Sequence, residues 1–329
     1  MAKIVRFYET GGPEVLRVED GDPGEPGAGE VLLKIDGIGL NRSEAAFRGG
    51  HYLVKPSFPA LIGGEATGSI LKLGPGVEGW SQGEAVIALP TFMFGQYGFY
   101  ATEAIAPVSC LVKLPDGIDP VQSSALWVAF LTAYGGLVET GKVAKGDFVV
   151  LTAASSSVGL AAIQVARDQG AIPIATTRRR DKFAPLLAVG AAHVIASEEQ
   201  DVAQEVARIT DGKGASLIFD SVAGPFAEQL FGCLSIDGTL MVYGGLSNQP
   251  ATFPRHLAIG RNLTMRGYTV SYMNNDPVRR ARALDYLVER VRDGRFKMPI
   301  AHKFPIAEAI EAHRRLEENR HVGKIVMTP

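Results

Sequence analysis

The chain has 329 residues and a formal net charge of −2, a length that suits about two domains of roughly 150 residues each. Hydrophobic residues make up 46% and charged residues 21%, as in an ordinary globular protein. The near-neutral balance gives no basis for steering toward nucleic acid or an anionic membrane. Two cysteines, Cys110 and Cys233, have no metal-ligand spacing and make no disulfide framework. Reduced thiols in a cytoplasmic protein are expected in preference to a single disulfide. The opening MAKIVRFYETGG lacks the apolar core of a signal peptide. No membrane span is expected, because no apolar run approaches roughly 20 residues.

In chain order, residues 31–35 (VLLKI), 68–73 (GSILKL) and 85–88 read as strands cut by turns such as Gly21-Asp22-Pro23-Gly24, which points to a compact β-rich domain. Residues 119–136 are apolar with helical spacing, and Asp119-Pro120 makes a good helix start. Strand and helix then alternate. Strands are predicted at 148–153, 172–177, 193–196, 217–220, 240–243 and 263–270, and helices at 158–169, 183–189, 202–209 and 226–234. Strands apolar on both faces that alternate with helices imply a parallel, doubly wound sheet. The remaining residues read as helical and charged (279–292, 306–318), followed by a short strand at 324–327. The fold class is therefore α/β: a β-rich domain at 1–124, completed by 271–329, and a Rossmann domain at 125–270.

The segment Ala153-Ala154-Ser155-Ser156-Ser157-Val158-Gly159 lies between the first predicted strand and helix of that domain, where a dinucleotide fingerprint belongs. The usual G-x-G-x-x-G becomes Ala154-x-Ser156-x-x-Gly159. Small side chains still let the backbone approach a pyrophosphate, and the helix N-terminus supplies N–H groups. Ser156, Ser157 and Val158 are the candidate contacts. The alternative is a serine-rich helix cap without a ligand; the complete strand–helix pattern favours the cofactor. The second strand ends Thr176-Thr177-Arg178-Arg179-Arg180-Asp181-Lys182. An NAD site wants an acid where Thr177 stands, whereas a 2′-phosphate suits a neutral residue followed by Arg178 and Lys182. Three arginines at a helix start oppose its dipole, which an anion would explain. NADPH is the expected cofactor.

GIGLNRSEAAFRGGHY (37–52), Gly63-Gly64-Glu65-Ala66-Thr67-Gly68, GFYAT (98–102), the Ala-Ala-Ser-Ser-Ser-Val-Gly loop, FDSVAG (219–224) and MVYGG (241–245) together resemble the zeta-crystallin-like quinone oxidoreductases of the medium-chain dehydrogenase/reductase superfamily, over nearly the whole chain. The resemblance implies a GroES-like catalytic domain, a Rossmann domain and a cleft between them. It implies that Asn41 sits near the nicotinamide ribose and substrate, that Tyr52 is the active-site tyrosine and that Thr132 contacts the nicotinamide end. Val222, Gly244, Gly245 and Leu246 correspond to residues lining the cofactor, and Lys182 and Ser197 to positions near the 2′-phosphate. Some members carry tyrosine where this chain has Ser197 and Ala46. In zinc alcohol dehydrogenases of the superfamily the ligand positions correspond to the neighbourhood of Leu40-Asn41, to Gly64 and to the helix near residues 127–132; none is Cys or His here, and one nearby His51 does not make a zinc site.

Without zinc to hold charge on oxygen, the fitting acceptors are quinones and α,β-unsaturated carbonyls, which delocalise it. An enoyl reductase acting on a thioester or polyketide chain, and a crystallin-like nucleotide-binding structural protein, are the alternatives. The predicted strand at 263–270 has Arg266 as its one charge and no proline. Placed at a sheet edge, it is expected to pair with a second subunit as a homodimer; the alternative is that residues 272–280 cover it.

Overall fold

The computed structural model describes residues 1–329. The chain forms two compact units, one of Met1–Val128 with Met298–Pro329 and one of Ala129–Lys297.

The first unit begins with β1 (Ala2–Phe7) and β2 (Leu16–Gly21), an antiparallel pair. Neither stands out in the sequence, because charges at Lys3, Arg6 and Arg17 interrupt a short alternation. Then come β3 (Glu30–Gly39), α1 (Arg42–Arg48), β4 (Ala60–Leu61), β5 (Ala66–Leu73), β6 (Ala85–Ala88), β7 (Glu103–Pro107), β8 (Leu111–Lys113) and α2 (Pro120–Ser123). β3 pairs antiparallel with β5 and β7, β5 with β6, and β6 with β8. Inward residues such as Phe7, Leu33, Phe47 and Phe99 make one core. The helix start at Asp119 is as expected: its carboxylate accepts from Gln122 N at 2.8 Å, with Pro120 in the first turn. After α3 (Trp127–Tyr134) the helix widens into a π-helical turn over Gly135–Thr140. Glycines permit this, since a side chain at Gly135 would strike Tyr268 and Met273, and one at Gly136 the Phe219 ring. Pro120–Thr140 is an apolar stretch long enough to cross a membrane by length and composition, which the sequence reading overlooked; 83% of its most apolar 18-residue window is buried inside the protein, as in a core helix.

In the second unit β9 (Phe148–Leu151), α4 (Ser157–Asp168), β10 (Ile172–Thr177), α5 (Phe183–Val189), β11 (His193–Ala196), α6 (Val202–Ile209), β12 (Ala215–Asp220), α7 (Phe226–Gly232), β13 (Leu234–Val242), α8 (Arg255–Arg261) and β14 (Thr264–Gly267) alternate, followed by α9 (Ser271–Asn274) and α10 (Pro277–Arg292). The six strands lie in the order β11-β10-β9-β12-β13-β14, all parallel. This is the doubly wound 3-2-1-4-5-6 order, whose switch point lies between its first and fourth strands, here β9 and β12. Leu234 opens β13 rather than closing the preceding helix as expected. β14 is shorter than the predicted 263–270: its last ladder bond runs from Tyr268 N to Val242 O at 2.9 Å, and the chain enters α9 at Ser271. Residues 271–297, expected with the first domain, belong to the second unit. α10 is tied there by Arg282 on Glu139 and Tyr286 on Asp168, and Phe296 stacks on Phe130 with centroids 5.0 Å apart.

The chain then closes the first unit with β15 (Ile300–Pro305), α11 (Ala309–Glu317) and β16 (Lys324–Thr328). β16 pairs antiparallel with β3 and parallel with β15. β15 was not expected in a stretch that reads as helical; it is a half-exposed edge strand without an apolar run.

Candidate active site and cofactor cradle

The cradle in the second unit is built where β9 and β12 diverge. Ala153 takes a left-handed φ of 44°, Ala154 N bonds Thr176 O at 3.0 Å, and Ser156 N bonds Ala153 O at 3.0 Å, so the loop is a tight turn. Ser156 caps α4, its hydroxyl accepting from Gly159 N at 3.1 Å. A side chain on Gly159 would strike the Ala154 backbone, which explains the one fingerprint glycine that persists: it lets helix and turn pack closely. The N-terminal amides of α4 then face outward with the dipole's positive end. Across the switch point, Asp220 ends β12 fully buried and organises its loop. It accepts from Thr152 Oγ1 at 2.6 Å and from Val222 N and Ala223 N at 2.9 Å. Burial pushes its carboxyl above the usual range, against the pull of these donors. Leu246 N and Ser247 N bond Ser221 O and Val222 O at 2.9 and 2.8 Å, which brings Val222 together with Gly244, Gly245 and Leu246. Thr132 lies buried on α3.

At the end of β10, Thr177 is buried and its carbonyl accepts from Ser197 N at 2.8 Å and Ser197 Oγ at 3.3 Å. Lys182 Nζ donates to Ser155 Oγ at 3.1 Å, joining the basic turn to the fingerprint loop. Burial and then the neighbouring Arg178 lower its pKa. Of the three arginines, Arg179 pairs with Glu198 and Arg180 with Glu199, each at 3.1 Å on the surface.

In the first unit Asn41 precedes α1. Its N–H donates to Glu44 Oε2 at 2.7 Å, and its Nδ2 donates to Gly39 O and Glu65 Oε2, both at 3.2 Å. Lys324 Nζ donates to Asn41 Oδ1 at 2.7 Å and to Glu65 Oε2 at 2.8 Å; Glu65 Oε1 accepts from Val128 N at 2.9 Å. Glu65 and Lys324 are 0% and 1% exposed. Glu44, also fully buried, accepts from Gly64 N at 2.8 Å and Tyr100 Oη at 2.7 Å. Behind Tyr100 stands His313 at 3.2 Å, and behind that Arg48 at 2.6 Å. Arginine only donates, so His313 Nδ1 accepts from Arg48 and Nε2–H donates to Tyr100, which donates to Glu44. Tyr52 is half-buried, its ring 5.0 Å from that of Phe94. Burial and then the charge of Glu44 push its phenol up. Asn41 and Tyr52 thus share one electrostatic neighbourhood through Glu44.

Residues 27–116 match the alcohol dehydrogenase GroES-like domain and 157–285 the zinc-binding dehydrogenase domain. A quinone oxidoreductase of Pseudomonas aeruginosa is 31% identical, with 100% of both chains covered. The chain belongs to the quinone oxidoreductase family of medium-chain dehydrogenases/reductases. A 2-haloacrylate reductase of a Burkholderia species is 30% identical over 100% of this chain and 99% of its own. The Escherichia coli quinone oxidoreductase, solved in complex with NADPH, superposes with a TM-score of 0.93 at 27% identity, covering 99% of this chain and 100% of that one.

Zinc does not fit the residues present. No three His, Cys, Asp or Glu side chains are grouped to hold a metal. Beside Asn41, one of the positions that correspond to zinc ligands, the structure holds a buried ammonium, that of Lys324 between Asn41 and Glu65, which would repel a second cation. Sequence reading missed Glu44, Glu65, Tyr100, His313, Lys324 and Asp220. Glu44, Glu65, Tyr100 and Asp220 sit inside motifs it used, but their partners do not follow from those motifs.

Proposed function

We propose that the protein is an NADPH-dependent, metal-independent reductase of quinones and α,β-unsaturated carbonyls. The observation that carries this reading is the β9–β12 switch point, with a capped helix N-terminus, no acid at Thr177, and Arg178 and Lys182 beside it. The backbone of Ser156, Ser157 and Val158 would hold the pyrophosphate; Thr177, Arg178, Lys182 and Ser197 would hold the 2′-phosphate; Thr132, Val222, Gly244, Gly245 and Leu246 would flank the nicotinamide. The bound cofactor supplies the hydride. Tyr52 makes no hydrogen bond within the protein, and with its phenol pushed up it stays protonated and donates a hydrogen bond to the acceptor's carbonyl oxygen. A quinone or enone spreads the incoming charge over its own conjugated system, so this arrangement needs no Lewis acid. NADPH oxidation against a quinone, an enone, an enoyl thioester and a simple ketone tests it. Turnover of the first two, undiminished by a chelator, is expected; turnover of the ketone alone would refute it.

The protein works as a homodimer in the cytoplasm under the same reading. The support is β14, the outer strand of its sheet, with Thr264, Met265, Arg266 and Gly267 all exposed, and two buried cysteines that form no disulfide. Light scattering should give about twice the 35.1 kDa chain mass. Met265→Lys, which sets a charge on the edge, should lower it toward the monomer. A native mass near 35.1 kDa would end the dimer reading.

A further inference from the structure

A carboxamide has two N–H donors and an acceptor oxygen, and at Asn41 the fold uses them unequally. Both donors are spent inside the protein, on Gly39 O and Glu65 Oε2 at 3.2 Å. In the first turn of α1, Glu44 N bonds the backbone carbonyl of Asn41 at 3.1 Å; it also faces the Asn41 side chain in a capping box, without a side-chain cap hydrogen bond forming. Oδ1 takes one hydrogen bond, from Lys324 Nζ at 2.7 Å. An ammonium has only donors, so Lys324 dictates which end of the carboxamide is oxygen. Glu65, 0% exposed, holds the ammonium at 2.8 Å, and Val128 N holds the other carboxylate oxygen. A side chain on Gly39 would strike the Ser124 carbonyl and come within 3.0 Å of both Glu65 and Lys324, so the cluster is packed with no slack. Within the triad of Asn41, Glu65 and Lys324 only Asn41 is half-exposed; the other two are sealed.

We propose that Lys324 is the positioning residue of this site and that Asn41, turned by it, meets its ligand as a hydrogen-bond acceptor. The partner is then a ligand hydroxyl: a sugar hydroxyl of the dinucleotide, or the hydroxyl of the hydroquinone product. A carbonyl or an oxyanion offers only acceptors and is not a partner for this oxygen. The inference rests on the reading of Asn41 as a ligand-contacting residue under the proposed function.

Removing Lys324 alone would strand a buried carboxylate, which is strongly destabilising. The test therefore uses the double variant Lys324→Met with Glu65→Gln, the conservative Lys324→Arg, and the pair Asn41→Asp and Asn41→Leu. Each is assayed for folding by circular dichroism, for the NADPH dissociation constant by fluorescence, and for the kcat and KM of a quinone and the inhibition constant of its hydroquinone. The folded double variant should lose about tenfold in one of these ligand constants, the scale of one hydrogen bond, and Lys324→Arg should recover most of it. Asn41→Asp keeps the acceptor and drops the donors; it is made together with Glu65→Gln, so that no second carboxylate faces Glu65 Oε2 across the 3.2 Å now spanned by Asn41 Nδ2, and should hold its ligand within about threefold while Asn41→Leu loses about tenfold. A loss in the NADPH constant assigns the sugar hydroxyl; a loss confined to the hydroquinone constant assigns the product. A folded double variant with unchanged constants would show a merely structural lysine and overturn the proposal, as would equal losses in Asn41→Asp and Asn41→Leu, which decide alone if the double variant does not fold. Unmodified protein that binds NADPH but reduces no quinone refutes the functional reading instead, and leaves the NADPH arm of this test standing.

Discussion

Lowering the pH from 7 to 4 is expected to cost about 3 kcal/mol of stability through His313 alone, at about 1.36 kcal/mol per unit. The imidazole is fully buried between Arg48 and Tyr100, and burial, then the charge of Arg48, push its pKa from 6.5 down to about 3. Between those two values the unfolded chain carries a proton that the folded one refuses. Stability therefore rises with pH across this window and is lost as pH falls through it. Glu44 works in the opposite direction, because burial raises its carboxyl, so the measurement must be a difference. Urea unfolding of the native protein and of His313→Gln, at pH 7 and at pH 4, supplies it. Glutamine accepts from Arg48 and donates to Tyr100 without titrating. The variant should lose about 3 kcal/mol less than the native protein over that interval. Parallel losses would mean that His313 takes up its proton in the folded state.

Replacing Arg178 and Lys182 together by alanine should weaken NADPH by at least about a hundredfold and leave NADH within about threefold, since each charge-assisted hydrogen bond to a phosphate contributes about 1.5–3 kcal/mol. The control lies in the same turn. Arg179 is bonded to Glu198 at 3.1 Å, so Arg179→Ala should leave the NADPH constant where it was, although it removes the same charge. Equal sensitivity of all three cations would point to diffuse attraction of a polyanion rather than to a 2′-phosphate site, and equal affinity of the native protein for NADPH and NADH would refute that site outright. Isothermal titration with each nucleotide reads all of these outcomes.

The sequence was most informative where an element's chemistry is local. β9, β10 and β12 are apolar on both faces because helices cover both sides of their sheet, so each reads as an uninterrupted run. Ser156 shows as a cap because its partner, Gly159 N, is three residues away. Elsewhere the signal thins out. β1, β2 and β15 carry charges on an exposed face, and nothing in IAHKFP marks a strand until β16 lies beside it. The polar cluster of the first unit was invisible for a different reason. Tyr100 meets Glu44 across 56 residues of sequence, and Arg48 meets His313 across 265. No periodicity or spacing connects such pairs; only the fold does. The pairing of Arg179 with Glu198 and of Arg180 with Glu199 was hidden for the same reason, since each partner lies 19 residues away.

The first unit is discontinuous in sequence, and this constrains how the protein is made. Everything from Ala129 to Lys297 is synthesised between its two pieces, on the order of ten seconds at roughly 5–20 residues per second. The second unit is continuous and has all its strands in hand by then, so it folds while the first still lacks the partner strand for the end of β3. Through that interval Glu65 has no counter-ion and α1 no α11 to cover Arg48. The carboxylate that will be sealed in the core stays hydrated until Lys324 leaves the ribosome, and the first unit gains its stability in one late step instead of by gradual accretion.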